Sequence, residues 1–158
     1  MEKKIFNKIT IVFLLLSGII TTTYSQEMSV PANLQAALFK KIFSFNKTLQ
    51  GKGNLEVSVI GNGSGEIVSA FKDAGVNAKS ASDASGASVV YVMPGSTAPK
   101  QKGIFSISGV TEYAESGKVA VGLGVEGGKP KIVVNLAQLK AEGQELSADL
   151  LKIAKVIQ

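Results

Sequence analysis

The 158-residue chain has no cysteine, histidine or tryptophan, and all 17 of its basic residues are lysine. Each absence removes a class of chemistry. Without cysteine there is no disulfide, so stability rests on core burial alone. Without histidine or cysteine, Ser-His-Asp and Cys-His catalysis are excluded in their usual forms. Zinc, haem and iron–sulfur sites lose their usual ligands, and no cofactor is expected. No arginine, and few aromatics outside the first helix, argue against nucleic-acid binding. The chain reads as a non-enzyme.

What charge and apolar runs there are sit unevenly. Lys3, Lys4 and Lys8 precede a mostly apolar run from Ile9 to Ile20, followed by small and polar residues. This pattern predicts a secretory signal peptide over residues 1–25, with cleavage near Ser25. The run is shorter than the roughly 20 residues a membrane-spanning helix needs, so no stable membrane insertion is expected after cleavage. From Gln26 onward, 14 lysines face 11 acids, leaving a net charge of +3. Residues 26–158 suffice for one domain.

Leu34, Leu38, Ile42, Phe45 and Leu49 recur at helical spacing, which predicts a helix over Pro31 to Leu49. Phe39 and Phe43 widen its apolar arc, which reads first as a wide face buried on a sheet; the sharper alternative is an aromatic edge that meets a partner or a second copy of the chain. Leu55 to Ile60 reads as a strand buried on both faces. Gly61-Asn62-Gly63-Ser64-Gly65 turns into a helix over Glu66 to Ala74. Its spacing matches neither a dinucleotide fingerprint nor a phosphate-binding P-loop. Val76 to Lys79 is an edge strand, and Ala87 to Met93 a central one. Ile104 to Ser108 and Lys118 to Val125 follow as strands, with a short helix between them carrying Tyr113. Glu126-Gly127-Gly128-Lys129 joins the last of these to a β-branched run, Ile132 to Val134, as an antiparallel hairpin. Glu112 with Glu115, and Glu142 with Glu145, are three apart. Such pairs are read as solvated helix faces rather than catalytic acids.

The expected fold is α/β: a three-layer sandwich with a mostly parallel sheet, a C-terminal antiparallel hairpin and a final docking helix. In such sheets ligands gather at the carboxyl ends of the strands. Here those ends supply Gly61, Gly63, Ser64, Ser96, Thr97 and Ser108 as candidate contacts for a small polar ligand.

The last stretch, Lys129 to Ile157, is the most specific. Asn135 can cap a short helix through Lys140, and Gly143 suits a helix stop. Ser147 can cap a final helix whose apolar face runs Leu146, Leu150, Ile153, Ala154 and Ile157, with Lys152 and Lys155 off that face. The order Val134-Asn135-Leu136, Ala141-Glu142-Gly143, Ser147 and Leu150-Leu151-Lys152-Ile153-Ala154 resembles the C-terminus of the YfiR-like family of bacterial periplasmic proteins. The resemblance makes Asn135, Gly143, Ser147, Leu150 and Leu151 structural motif residues. It implies a periplasmic regulator that binds the periplasmic domain of an inner-membrane signalling protein, a diguanylate cyclase of the cyclic-di-GMP pathway or a kinase. Phe39, Phe43, Lys152 and Lys155 are then the candidate partner surface, and a homodimer is a further expectation. Many members carry cysteines; this chain has none, which removes disulfide-based redox control. The alternative reading is a stand-alone envelope protein that binds a small polar ligand for an uptake system.

Overall fold

The computed structural model describes residues 30–158. The expected signal peptide and its cleavage point near Ser25 lie outside these residues. Twelve elements follow in order: α1 (Ala32–Ser44), β1 (Glu56–Ile60), α2 (Ser64–Asp73), β2 (Asn77–Ala81), β3 (Val89–Val92), β4 (Phe105–Ser108), α3 (Thr111–Glu115), β5 (Val121–Glu126), β6 (Lys129–Asn135), α4 (Leu136–Ala141), α5 (Ala148–Ile153) and β7 (Lys155–Ile157). The strands form one sheet in the order β2-β1-β3-β4-β5-β6-β7. Every neighbouring pair is parallel except β5–β6, which is antiparallel.

Strand alternation sends side chains to two apolar layers. Val89 and Tyr91 of β3 face one side with Phe39, Phe43, Phe71, Phe105 and Ile107. Val90 and Val92 face the other with Ala114, Val119 and Val133. The first layer is covered by α1, α2, α4 and α5, through residues such as Ile67, Leu139 and Leu150. The second is covered by α3 and by the connections carrying Ala84, Ala98 and Ile104. The α/β three-layer reading therefore holds, and the Val-rich central strand is where its composition placed it.

Two helix ends differ markedly from expectation. α1 stops at Ser44 instead of Leu49, because the next residues are claimed by a distant segment. Ser147 N–H donates to Phe45 O (2.9 Å), and Lys47 N–H donates to Glu145 O (2.8 Å). The buried Asn46 side chain donates to Gln144 Oε1 (3.0 Å) and accepts from Thr48 N–H (2.9 Å). Tertiary pairing thus outcompetes continued helix.

The final helix is also shorter than its apolar spacing suggests. It ends at Ile153, and Lys155–Ile157 becomes an edge strand parallel to β6, with Val134 opposite Val156. Ile157 therefore packs as a strand residue in the second layer, while Ile153 is 71 % exposed. A three-residue strand with β-branched Val156 and Ile157 fits this ladder better than another helical turn.

Glu142, read as part of a solvated face, is 3 % exposed and sits beneath the sheet. The β5–β6 hairpin is as expected: Gly127 (φ 58°) and Gly128 (φ 77°) supply the two positive-φ positions of a two-residue turn.

Candidate docking surface and strand-end hollows

The residues proposed for a polar ligand do not converge. Gly61 has φ 122°, and a Cβ there would lie 2.2 Å from Ser96 Oγ, so these two loops are packed against each other. Ser108 is fully buried, its hydroxyl donating to Val92 O (2.8 Å). Ser64 Oγ is 2.7 Å from Ser80 Oγ. Thr97 is exposed.

Two shallow hollows result at this end of the sheet. One, of about 420 Å³, is lined by Gly61, Asn62, Ser64, Ser80 and Ser82 beside β1 and β2. The other, of about 230 Å³, lies between the starts of α1 and α2 and includes Gly63, Gln35, Tyr91, Met93 and Gly109.

Its floor is a buried polar chain. Tyr91 OH donates to Gln35 Oε1 (2.6 Å), Gln35 Nε2 donates to Val30 O (2.6 Å), and Gly109 N–H donates to Tyr91 OH (3.1 Å). Burial pushes the Tyr91 phenol up to about 12. Gln35 escaped the sequence reading, although it lies four residues before Phe39 and so on the same buried helical face. Polar character outweighed spacing there.

The expected aromatic edge is not at the surface. Phe39 is 0 % exposed and Phe43 6 %. Their rings stack at 6.3 Å, and Phe39 meets Tyr91 edge-on at 5.9 Å. The wide apolar arc of α1 is thus spent on the sheet and α2, the commoner use of such an arc. Lys152 and Lys155, the other two candidates, are exposed at the end of α5 and the start of β7. Lys152 reaches Asp149 (3.4 Å), and Lys155 reaches Glu115 (2.7 Å). The hydrogen bond from Lys155 is the main reason that the Glu115 carboxyl lies below its ordinary range.

The motif residues of the last stretch fill structural roles. Asn135 Oδ1 accepts from Gln138 N–H (2.9 Å) and caps α4, while its Nδ2 donates to Ala114 O (2.9 Å). Gly143 takes φ 68° after α4. Ser147 Oγ accepts from Leu150 N–H (3.4 Å) at the start of α5. Leu150 is 1 % exposed, and Leu151 packs on the same core.

Beside this stretch lies the feature that the sequence did not reveal. A groove of about 510 Å³ runs along β6 and is lined by Glu126, Lys129, Pro130, Lys131, Ile132, Ile153 and Lys155. It exists because β7 covers only the last three residues of β6. The sequence signal was the β-branched Val156-Ile157 pair after the helix, which predicts a strand once helical spacing is set aside.

Among the described residues no group of three or more His, Cys, Asp or Glu could hold a metal ion. No helix among them is long and apolar enough to cross a membrane. A family model described as YfiR/HmsC-like matches residues 32–155. The chain belongs to the YfiR/HmsC-like family. No curated protein matches it. Membership points to a periplasmic regulator of a signalling pathway.

Proposed function

We propose that this protein is a non-enzymatic periplasmic regulator that binds the periplasmic sensor domain of an inner-membrane signalling protein, a diguanylate cyclase or a related kinase. The observation that carries this reading is the family match across residues 32–155, which spans nearly every described element. Regulation by such a domain is a population shift. Binding restrains the partner only by the difference in its affinity for the partner's inactive and active states. The exposed end of α5 with Lys152 and the start of β7 with Lys155 support a contact surface in this region. The ligand-binding alternative has less support, because its candidate residues divide between two hollows and the buried interior.

The test is in the cell of origin. Deleting the gene should raise cyclic di-GMP, or the output of the kinase it restrains, and complementation should restore it. In-cell cross-linking of the exported protein should recover a membrane protein with a periplasmic sensor domain. Unchanged signalling output together with no such cross-link would overturn the proposal.

A further inference from the structure

β6 is seven residues long, but its outer neighbour β7 pairs only with Val133, Val134 and Asn135. Lys129–Ile132 therefore has β5 on one side and no strand on the other. Backbone direction can be followed along this strand. Asn135 N–H donates to Ala120 O, toward β5. Alternation with period two then turns the amides of Ile132 and Val134 to the opposite, outer edge. Position 130 also faces outward. It is a proline, which has no N–H to leave unpaired and is tolerated at an uncovered edge for that reason. The C=O of Ile132 enters the β7 ladder, whose first rung sets Val133 opposite Lys155, so the outer edge of this half-strand presents Pro130 C=O and the N–H of Ile132.

The groove beside that edge has one apolar wall and a cationic rim. Ile153 is 71 % exposed, the most exposed of the two large hydrophobics that reach the surface among the described residues. Three lysines, Lys129, Lys131 and Lys155, line the groove against one acid, Glu126. Lys131 reaches Glu126 (3.2 Å), and Lys155 is engaged by Glu115 from α3. A second copy pairing along the same edge would bring these lysines near their own counterparts, a like-charge arrangement that disfavours self-association. An acidic strand would meet complementary charge and gain main-chain hydrogen bonds at once.

We infer that the uncovered outer edge of β6, at Lys129–Ile132 between Ile153 and Lys155, is a strand-addition site for an extended, acidic segment of a partner protein. This rests on the regulator reading above and names the kind of partner element it would engage. Main-chain pairing with Ile132 supplies register, Ile153 covers an apolar side chain of the incoming strand, and the lysines select Asp or Glu on its alternate positions.

Two measurements test it. In the first, the exported chain is titrated with a fluorescein-labelled heptapeptide alternating Glu and Val, and with its Lys/Val counterpart. The Glu/Val peptide should bind at least tenfold more tightly, and hydrogen exchange of the Ile132 amide should slow in its presence. Ile153→Asp and Lys129→Glu, both at positions whose side chains lie outside the core, should each weaken it by tenfold or more while leaving the thermal midpoint near that of the parent. Equal binding of both peptides, no binding, or protection that maps elsewhere would overturn the inference.

In the second, a photo-crosslinking residue replaces Lys129 or, on a distant surface, Lys52, in the cell of origin. Capture from position 129 through an acidic extended segment of a membrane signalling protein supports the site. Capture of that protein only from position 52 sinks the site and leaves the regulator reading standing. Capture of a second copy of the chain from 129 replaces the inference with a dimer, and capture of nothing from either position counts against both.

Discussion

Glu142 Oε2 accepts the backbone N–H of Ser106 at 3.0 Å, although the two residues are thirty-six apart in the chain. Glu142 Oε1 also accepts from the Ser106 hydroxyl and from Gln138 Nε2 (2.8 Å). Ser106 Oγ in turn accepts from Ala120 N–H (2.8 Å). The carboxylate therefore does for the start of β4 what a further strand residue would do, and it ties α4 to the sheet. Its position follows from the hairpin geometry, which returns β6 and α4 to the end of the sheet where β4 begins.

Removing that carboxylate should be costly. Glu142→Ala leaves the buried Ser106 amide and the half-buried Gln138 side chain without their partner. At about 1–3 kcal/mol for an unsatisfied buried group, the loss should be about 3 kcal/mol in all. That corresponds to a fall of about 10 °C in the thermal midpoint of a domain of this size. Urea denaturation of parent and variant at neutral pH measures it directly.

The same residue should give the protein a pH dependence of definite sign. Burial raises the Glu142 carboxyl above its ordinary value, with the bonds from Ser106 and Gln138 opposing the shift. The folded state then binds the proton more tightly than the unfolded state. The associated stability is complete below the ordinary glutamate value of 4.5 and is lost as pH rises through the raised folded value. Glu142→Gln, which holds no titrating proton, should lack this term. The stability of the parent minus that of Glu142→Gln should therefore decline as pH rises from about 4.5 and then level off. A difference that is flat or rises over that range would contradict the burial argument.

Tyr91 provides a second titration at the other end of the scale. Its phenol stays neutral up to about 12 because it is buried. The sign is the same: stability is whole below the ordinary tyrosine value of 10 and is lost as pH rises through about 12. Two pH units correspond to about 2–3 kcal/mol of differential interaction at most. Tyr91→Phe removes this alkaline loss. It also strands the Gln35 carbonyl oxygen and the Gly109 amide, at a cost of about 1–3 kcal/mol near neutrality. Denaturation curves at pH values spanning 9 to 12 should therefore converge for parent and variant as the pH rises.

These polar residues mark the limit of what could be read from the sequence. The strands were legible because Val57-Ser58-Val59-Ile60 and Val89-Val90-Tyr91-Val92 form dense β-branched and aromatic runs between glycine and proline breaks. The β5–β6 turn was legible from Gly127-Gly128. Asn135, Gly143 and Ser147 were legible because capping and positive φ are local demands. The end of α1, the burial of Glu142 and the strand at Lys155–Ile157 were not. Each depends on a segment about a hundred, thirty-six or twenty residues away. Helical spacing put Phe39, Phe43 and Ile153 on apolar faces, but it does not say whether a sheet, a neighbouring helix or solvent lies opposite: the first two are buried and Ile153 is exposed. The groove along β6 was hidden for the same reason, since it is the absence of a neighbour over half of one strand.

Phe39→Asp and Ile153→Asp should consequently behave as opposites. Phe39 is 0 % exposed among Phe43, Phe71 and Tyr91. A carboxylate there loses a packed ring, worth about 3–5 kcal/mol when truncated, and adds an unpaired buried charge. The variant should fail to accumulate as a folded protein. Ile153→Asp should change the thermal midpoint by no more than about 2 °C, because most of its side chain is already in water. Circular dichroism melts of the two variants check both halves.

Asn135 ties these themes together, since its side chain works in two directions at once. Oδ1 accepts from Gln138 N–H to cap α4, and Nδ2 donates to Ala114 O, the last turn of α3 on the opposite face of the sheet. Alanine removes both bonds. The cap alone is worth about 0.5–2 kcal/mol, and the buried Ala114 carbonyl is left without that donor. Aspartate separates the two roles. Its carboxylate keeps the cap and suits the helix N-terminus, but it has no proton to give Ala114 O and turns negative charge toward that oxygen. Asn135→Asp should therefore be clearly destabilised at neutral pH and should recover as the pH falls below the ordinary aspartate value of about 4, where the acid form can both accept and donate. Asn135→Ala should show no such recovery. If the two variants follow parallel stability curves between pH 3 and 7, the bond from Asn135 to Ala114 contributes nothing, and the cap alone explains the residue.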